Sequence, residues 1–276
     1  MLTTELYDPY SVAFDASGNI LVACYQTPTG DYAANTAVDG GVFKIDQYSL
    51  AVSEVSGYTN FATPFGAAVE PDGHILVADL DANTLGAIFR VDPITGVAVV
   101  LSENSATYGT NFYWLAGIAV ATNGGTEAIY VTDHGDGSTL QPKVIAINPA
   151  TGVQTVVAKG APFQNPDGLA VDPSGGSVTN IYVADWEAGT VIQMGKTSGG
   201  WTLTAIATTP ANTMQLPSHV AIDPVTGDLF VTDAILPTAG NPVAGAFWRI
   251  SRGTFQIQSI SSGGFFEQPR GLGVRH

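Results

Sequence analysis

One segment returns six times along the chain: YSVAFDASGNILVAC from Tyr10, FGAAVEPDGHILVAD from Phe65, AGIAVATNGGTEAIYVTD from Ala116, DGLAVDPSGGSVTNIYVAD from Asp167, SHVAIDPVTGDLFVTD from Ser218, and a short RGLGVRH from Arg270. Aligned on the second residue of each copy (Ser11, Gly66, Gly117, Gly168, His219, Gly271), the spacings are 55, 51, 51, 51 and 52 residues. A period this long and regular is that of an array of supersecondary units, each too small to bury its own apolar face and stable only against its neighbours.

Within a unit the pattern reads as four strands. In the fourth copy GLAVD (168–172) is a short apolar strand, DPSGGS a turn, NIYVAD (180–185) a second strand, TVIQM (190–194) a third and WTLTAI (201–206) a fourth. Runs of β-branched and aromatic residues bounded by Gly, Pro, Asn and Asp are strand and turn chemistry. The third and fourth strands are joined by hairpin signals such as DPITG (92–96) and NPATG (148–152). No stretch sustains a 3.6-residue apolar period, so helix should be nearly absent. Four antiparallel strands repeated five times predict an all-β chain folded as a single β-propeller over residues 1–276, the first strand of each blade lining a central channel. The units start near residues 10, 65, 116, 167 and 218, and a closing inner strand is expected at 270–275. Six inner strands favour six positions round the axis, the last an incomplete blade built from both ends of the chain with an outer strand at Leu2 to Leu6. Five blades is the competing count.

With 276 residues and 45% hydrophobic composition the chain can bury a large core. Nine Lys+Arg against 24 Asp+Glu give a net charge of −15, which removes the phosphate-neutralising surface that nucleic-acid binding requires. No apolar run reaches membrane length. A single cysteine, Cys24, excludes an internal disulfide and occupies the place held in other copies by Asp79, Asp133, Asp185 and Asp233, as a drifted repeat position would. Acidity with few lysines and many small polar residues suggests a secreted or periplasmic bacterial protein whose signal peptide is not part of this sequence.

The paired signatures NPDGLAVDPSG with NIYVAD, and TPFGAAVEPDGHILVAD, resemble the NHL-repeat propellers and, more distantly, the gluconolactonase, senescence-marker-like and strictosidine-synthase-like propellers. That group includes lactonases, lyases and protein-binding modules, so the resemblance implies a fold and leaves activity open. In gluconolactonase-like propellers a D-G-h-A-h-D strand start supplies a carboxylate that holds a divalent cation and moves protons. Asp167-Gly168-Leu169-Ala170-Val171-Asp172 matches it. The glutamate and asparagine that the resemblance also requires are replaced here by Tyr10 and by Phe65 or Ala116. A calcium-like site needs several hard oxygen ligands, so a loop-capping Asp167, or one paired with Arg270, is the alternative.

Propeller topology opens the loops entering the inner strands and leaving the second strands on one face. At that mouth stand Tyr10, Phe65, Ala116, Asp167, Ser218 and Arg270, with Tyr25, Asp79, Asp133, His134, Asp185, Trp186, Glu187 and Asp233 at the second-strand exits. His219 takes a repeat position that is glycine in four copies, and is a candidate ligand, general base or hydrogen-bonded plug. Arg270 offers a planar cation for a carboxylate or phosphate. His134 with Asp133 and Asp136 is a candidate metal group or a solvated loop, and Trp114, Trp186, Tyr113 and Tyr25 are candidate stacking surfaces or packing. Asp79, Asp81 and Asn83 have calcium-loop spacing, but Arg90 stands where the bidentate glutamate belongs.

Two classes of function follow. One is a scaffold that binds a small molecule, glycan or protein through one mouth, with Arg270, Tyr10, Phe65, Ser218, His134 and Trp186 as ligand contacts. The other is a metal-assisted hydrolase or lyase in which Asp167 holds a divalent cation such as calcium and acts with His219.

Overall fold

A computed structural model describes residues 6, 8–25, 40–172, 176–206, 214–238, 241–262 and 269–274. Among them no α-helix occurs, and a 3-10 turn spans Ala82–Thr84. The first blade comprises β1 (Pro9–Phe14), β2 (Ile20–Cys24), β3 (Gly40–Ile45) and β4 (Val52–Phe61); the second β5 (Pro64–Val69), β6 (Ile75–Asp79), β7 (Ala87–Val91) and β8 (Ala98–Glu103). The third holds β9 (Leu115–Asn123), β10 (Thr126–Asp133), β11 (Lys143–Ile147) and β12 (Gln154–Lys159). The fourth holds β13 (Pro166–Val171), β14 (Asn180–Asp185), β15 (Thr190–Thr197) and β16 (Gly200–Ala205), and the fifth β17 (Pro217–Ile222), β18 (Leu229–Thr238), β19 (Asn241–Ile250) and β20 (Ile257–Ser262). Each sheet is an antiparallel meander, and the hairpin turns close as their sequences require. Asp92 Oδ1 accepts from Ile94 N and Thr95 N, and Gly96 takes the left-handed φ of +71° that ends the turn.

The core lies between blades. Leu21, Val42 and Phe61 meet Ile75, Val77 and Val91. Leu76, Ile88 and Leu101 meet Ile129, Val131 and Ile145, and Val144 meets Ile181, Val183 and Ile192. Tyr182 and Val191 meet Val231, Trp248 and Ile250. Fully burying each such side chain contributes roughly 1.5–3 kcal/mol. Near the axis the second, third and fourth blades approach so closely that the repeat glycines Gly66 and Gly117 leave no room for a side chain. A Cβ on Gly66 would lie 2.6 Å from Ala116 O, and one on Gly117 2.6 Å from Asp167 O.

Five four-stranded blades are present among the described residues, so the main count of six gives way to the alternative. The sixth inner place is nevertheless taken. Thr132 Oγ1 donates to Asp167 O of the next blade, and Thr232 Oγ1 donates in the same way to Arg270 O, 3.0 Å away. Ser218 Oγ donates to Pro269 O at 2.8 Å. Pro269 lies against Gly245 as Pro64 lies against Gly40, and Gly271 reaches the first blade at Ser11. The expected closing strand is not a strand over Gly271–Val274, and among the described residues no strand pairs with it to form a ladder. Arg275 and Leu2 to Glu5 lie outside the described residues; Leu6 packs with Val22, Cys24 and Phe43, on the face of the first blade turned away from the second.

Candidate functional site

The second-strand exits form a set of pins rather than a set of ligands. Asp79 accepts from Ala62 N, Thr63 N, Asp81 N and Ala82 N. Asp133 accepts from Tyr113 N, Trp114 N, Gly135 N and Lys143 Nζ, Asp185 from Gln164 N, Asn165 N and Ala188 N, and Asp233 from Gln215 N, Leu216 N and Trp248 Nε1. Asp79, Asp133 and Asp185 each tie the loop entering their blade to the residues that follow the second strand, and Asp233 ties its entering loop to Trp248 on β19. Burial raises the pKa of Asp79 and Asp185 while their backbone donors pull it back down. The calcium-spaced loop is spent likewise: Asp81 takes Thr63 Oγ1 at 2.8 Å and Asn83 bonds Glu103.

On the axis the mouth divides into two halves. Over the first three blades it is an apolar plug: the Tyr10 and Phe65 rings meet at a 3.5 Å centroid distance, and Phe65 packs with Leu80 and Ala116. Phe65, proposed as a ligand contact, is therefore core at 7% exposure. The other half is polar. Arg270 Nη1 donates to Tyr10 Oη at 2.9 Å, and the guanidinium lies 4.2 Å from the Trp186 ring centroid and 5.0 Å from that of Tyr10. Burial, with Asp167 as the second cause, pushes the Tyr10 phenol far up, so its oxygen stays a neutral acceptor for Arg270. Ser218 is engaged with Thr232 and with the carbonyls of Pro269 and Arg270, a clamp on the closing segment.

Asp167 and His219 are both buried, and Asp167 Oδ1 and His219 Nδ1 have no hydrogen-bond partner. A Cβ on Gly168 would meet the His219 ring at 2.7 Å, so the imidazole fills the room that glycine leaves. Burial raises the Asp167 carboxyl to about 7, with Arg270 opposing and Asp185 adding. Burial, then Arg270, lowers the His219 imidazole to about 4. Neither group hydrogen-bonds the other, and Asp167 forms no ion pair with Arg270. At neutral pH the axis thus presents a carboxyl near its midpoint, a neutral imidazole and a fixed cation.

As a home for a divalent cation this donor set is poor: one desolvated carboxyl and one imidazole beside a guanidinium, where several hard oxygens are needed. A denser cluster, passed over in the sequence because His74 belongs to a turn, lies at the opposite face. There Glu70, Asp72 and His74 bring ligand atoms within 4.8 Å of one another, but Glu70 is held by Arg90 and His74 Nδ1 lies 3.0 Å from Asp72. Glu127, beside Glu70, is raised to about 7, first by desolvation and then by its hydrogen bond to Glu70.

A second recess sits on the rim between the third and fourth blades. It has a volume of about 280 Å³ and is bordered by Tyr113, Trp114, His134, Gln164, Asn165 and Glu187. His134, Trp114 and Tyr113 stand out in the sequence, whereas Gln164 and Asn165, which arrive from the neighbouring blade, carry no signal there that joins them to this site. At the foot of the axis, between the inner strands, lies a channel of about 400 Å³ bordered by residues such as Phe14, Ala68, Val120, Ala170, Ala221 and Val274.

No protein-family model matches this chain. No curated protein matches it either. Solved structures do. A chain of the nidogen/laminin complex superposes with a TM-score of 0.68 at 14% identity, covering 97% of this chain and 85% of that one. A gluconolactonase from Xanthomonas campestris superposes with a TM-score of 0.66 at 16% identity, covering 96% and 79%. At such identities the likeness is one of architecture: the chain is a β-propeller distantly similar to the nidogen and gluconolactonase propellers.

Proposed function

We propose that the chain is a secreted binding scaffold whose polar half-mouth holds a small ligand on the axis, between Arg270, Asp167 and His219. One observation carries this reading. Two wholly buried polar atoms, Asp167 Oδ1 and His219 Nδ1, lack partners at the point where the inner strands converge. An unsatisfied buried polar group costs about 1–3 kcal/mol, and native proteins keep few of them. A ligand with a hydroxyl or amide donor for Asp167 and His219, and a carbonyl or carboxylate acceptor for Arg270, satisfies all three. Trp186 and Tyr10 hold the guanidinium in place for it. The net charge of −15 excludes a polyanion and leaves room for a single acceptor group.

The hydrolase reading is favoured by Asp167 alone, a carboxyl tuned to about 7 and therefore suited to proton transfer at neutral pH. One experiment separates the two. Ca²⁺, Mg²⁺, Mn²⁺ and Zn²⁺ are titrated against the melting curve of the parent and of Asp167→Asn, and lactone opening is followed with and without metal. A cation-dependent rise in melting temperature that vanishes in Asp167→Asn, with lactone turnover that vanishes in His219→Ala, establishes the hydrolase. Unchanged melting curves and no turnover leave the scaffold.

A further inference from the structure

We infer that the rim recess between the third and fourth blades is a second ligand site, separate from the axis, and that it takes a single neutral pyranose ring. Tyr113 and Trp114, consecutive residues, stand 37% and 46% exposed, and the Trp114 ring stacks on His134 at 5.8 Å between centroids. An exposed indole supplies the apolar plane on which the C–H face of a sugar ring rests.

The polar side matches the same ligand. His134 Nε2 and Asn165 Oδ1 are buried without partners, and burial lowers the imidazole to about 4, so it is neutral at working pH. Gln164 and Glu187 border the recess from the exposed surface. The second carboxylate at the border, Asp136, is already taken by Ser138 N, Thr139 N and Leu140 N. Two amides, a neutral imidazole and one open carboxylate form a donor and acceptor set for hydroxyl groups. Among the described residues that line the recess there is no Lys or Arg, which argues against an anion as its ligand. A volume near the lower end of the ~300–1,000 Å³ range of ligand pockets suits one ring, with further residues of a glycan in solvent.

The recess is also preformed. Asp133 fixes the backbone of Tyr113 and Trp114, Asp185 fixes that of Gln164 and Asn165, and Trp186 N and His134 N donate to Asn165 O and Trp114 O. Little ordering cost remains at binding.

The test is a titration of the whole chain with the methyl glycosides of glucose, galactose, mannose and N-acetylglucosamine, followed by heteronuclear NMR and by isothermal calorimetry, with choline as a cationic control. At least one glycoside is expected to bind saturably and to shift the resonances of the Trp114 indole and His134. Trp114→Ala is expected to weaken that binding at least tenfold while Trp114→Phe keeps most of it. Asp167→Asn should leave it unchanged, which keeps this site distinct from the axial one. Because Trp114 is half exposed, its removal spares the fold, as an unchanged melting temperature will verify. The inference is overturned if none of the glycosides binds, if binding survives Trp114→Ala intact, or if choline alone binds.

Discussion

Among the residues of the mouth, identical side chains do opposite work. Asp79, Asp133, Asp185 and Asp233 each accept three or more donors and act as pins. Asp167 is buried beside them with one oxygen unpartnered. The sequence separates the two kinds by repeat position, since the four pins share the second-strand exit and Asp167 alone precedes a repeat glycine, but it does not show which of them is left without donors. Only the register of the loops does. His134 and His219 are the corresponding bases, each lowered by burial to about 4. For such a group the unfolded chain binds its proton first, so stability is lost as pH falls from about 6.5 towards 4. We expect the double variant His134→Gln, His219→Gln to flatten that acid limb by a few kcal/mol, read from urea melts at pH 7 and pH 4.5. An acid limb equally steep in both proteins would mean that the imidazoles are not buried neutral.

At the scale of elements, most of the architecture was legible. The fourth copy's strands fall within two residues of their expected starts, because alternating β-branched residues and Asp–Gly turns define strand ends locally. The blade count was not legible, because GLGV repeats an inner-strand signature without the three strands that should follow it. The rim recess was half legible: the Tyr-Trp pair stands out in the sequence, but its partners enter from a loop fifty residues later. The repeat glycine has a physical reason that periodicity alone does not state, and it is testable. Gly117→Ala would set a Cβ 2.6 Å from Asp167 O and 2.9 Å from Leu169, forcing two inner strands apart. A loss of about 1–3 kcal/mol is expected in chemical denaturation. A neutral effect would show that the blades can part at the axis without cost.

The described residues form five blades in a ring whose last gap is spanned by a short length of chain. Four interblade cores hold the five sheets side by side, and the described residues contain no core shared by the fifth blade and the first. On the face of the fifth blade turned away from the fourth, Phe230 and Phe247 stack on each other at 5.5 Å. The segment Pro269–Val274 bridges from Ser218 and Thr232 to Ser11. Removing residues 270–276 should therefore lower the melting temperature by several degrees and promote self-association, observed by light scattering. A truncated protein as stable and monomeric as the parent would show that the segment closes nothing.

Closure also delivers Arg270 to the mouth, so the segment that closes the ring supplies one residue of the axial site. The central claim is that Asp167 is kept buried and unpartnered for a ligand, at a cost to the fold. Its carboxyl, raised from 3.8 to about 7, adds stability only while protonated, and that contribution is lost as pH rises from about 4 to about 7. Asp167→Asn removes the titration. The most direct measurement is the unfolding free energy of parent and Asp167→Asn at pH 5 and pH 8. The account predicts a variant more stable than the parent at pH 8, by on the order of 2–4 kcal/mol, with the difference shrinking at pH 5. A variant less stable than the parent at pH 8, or a difference that does not change with pH, would contradict it and make Asp167 one more structural pin.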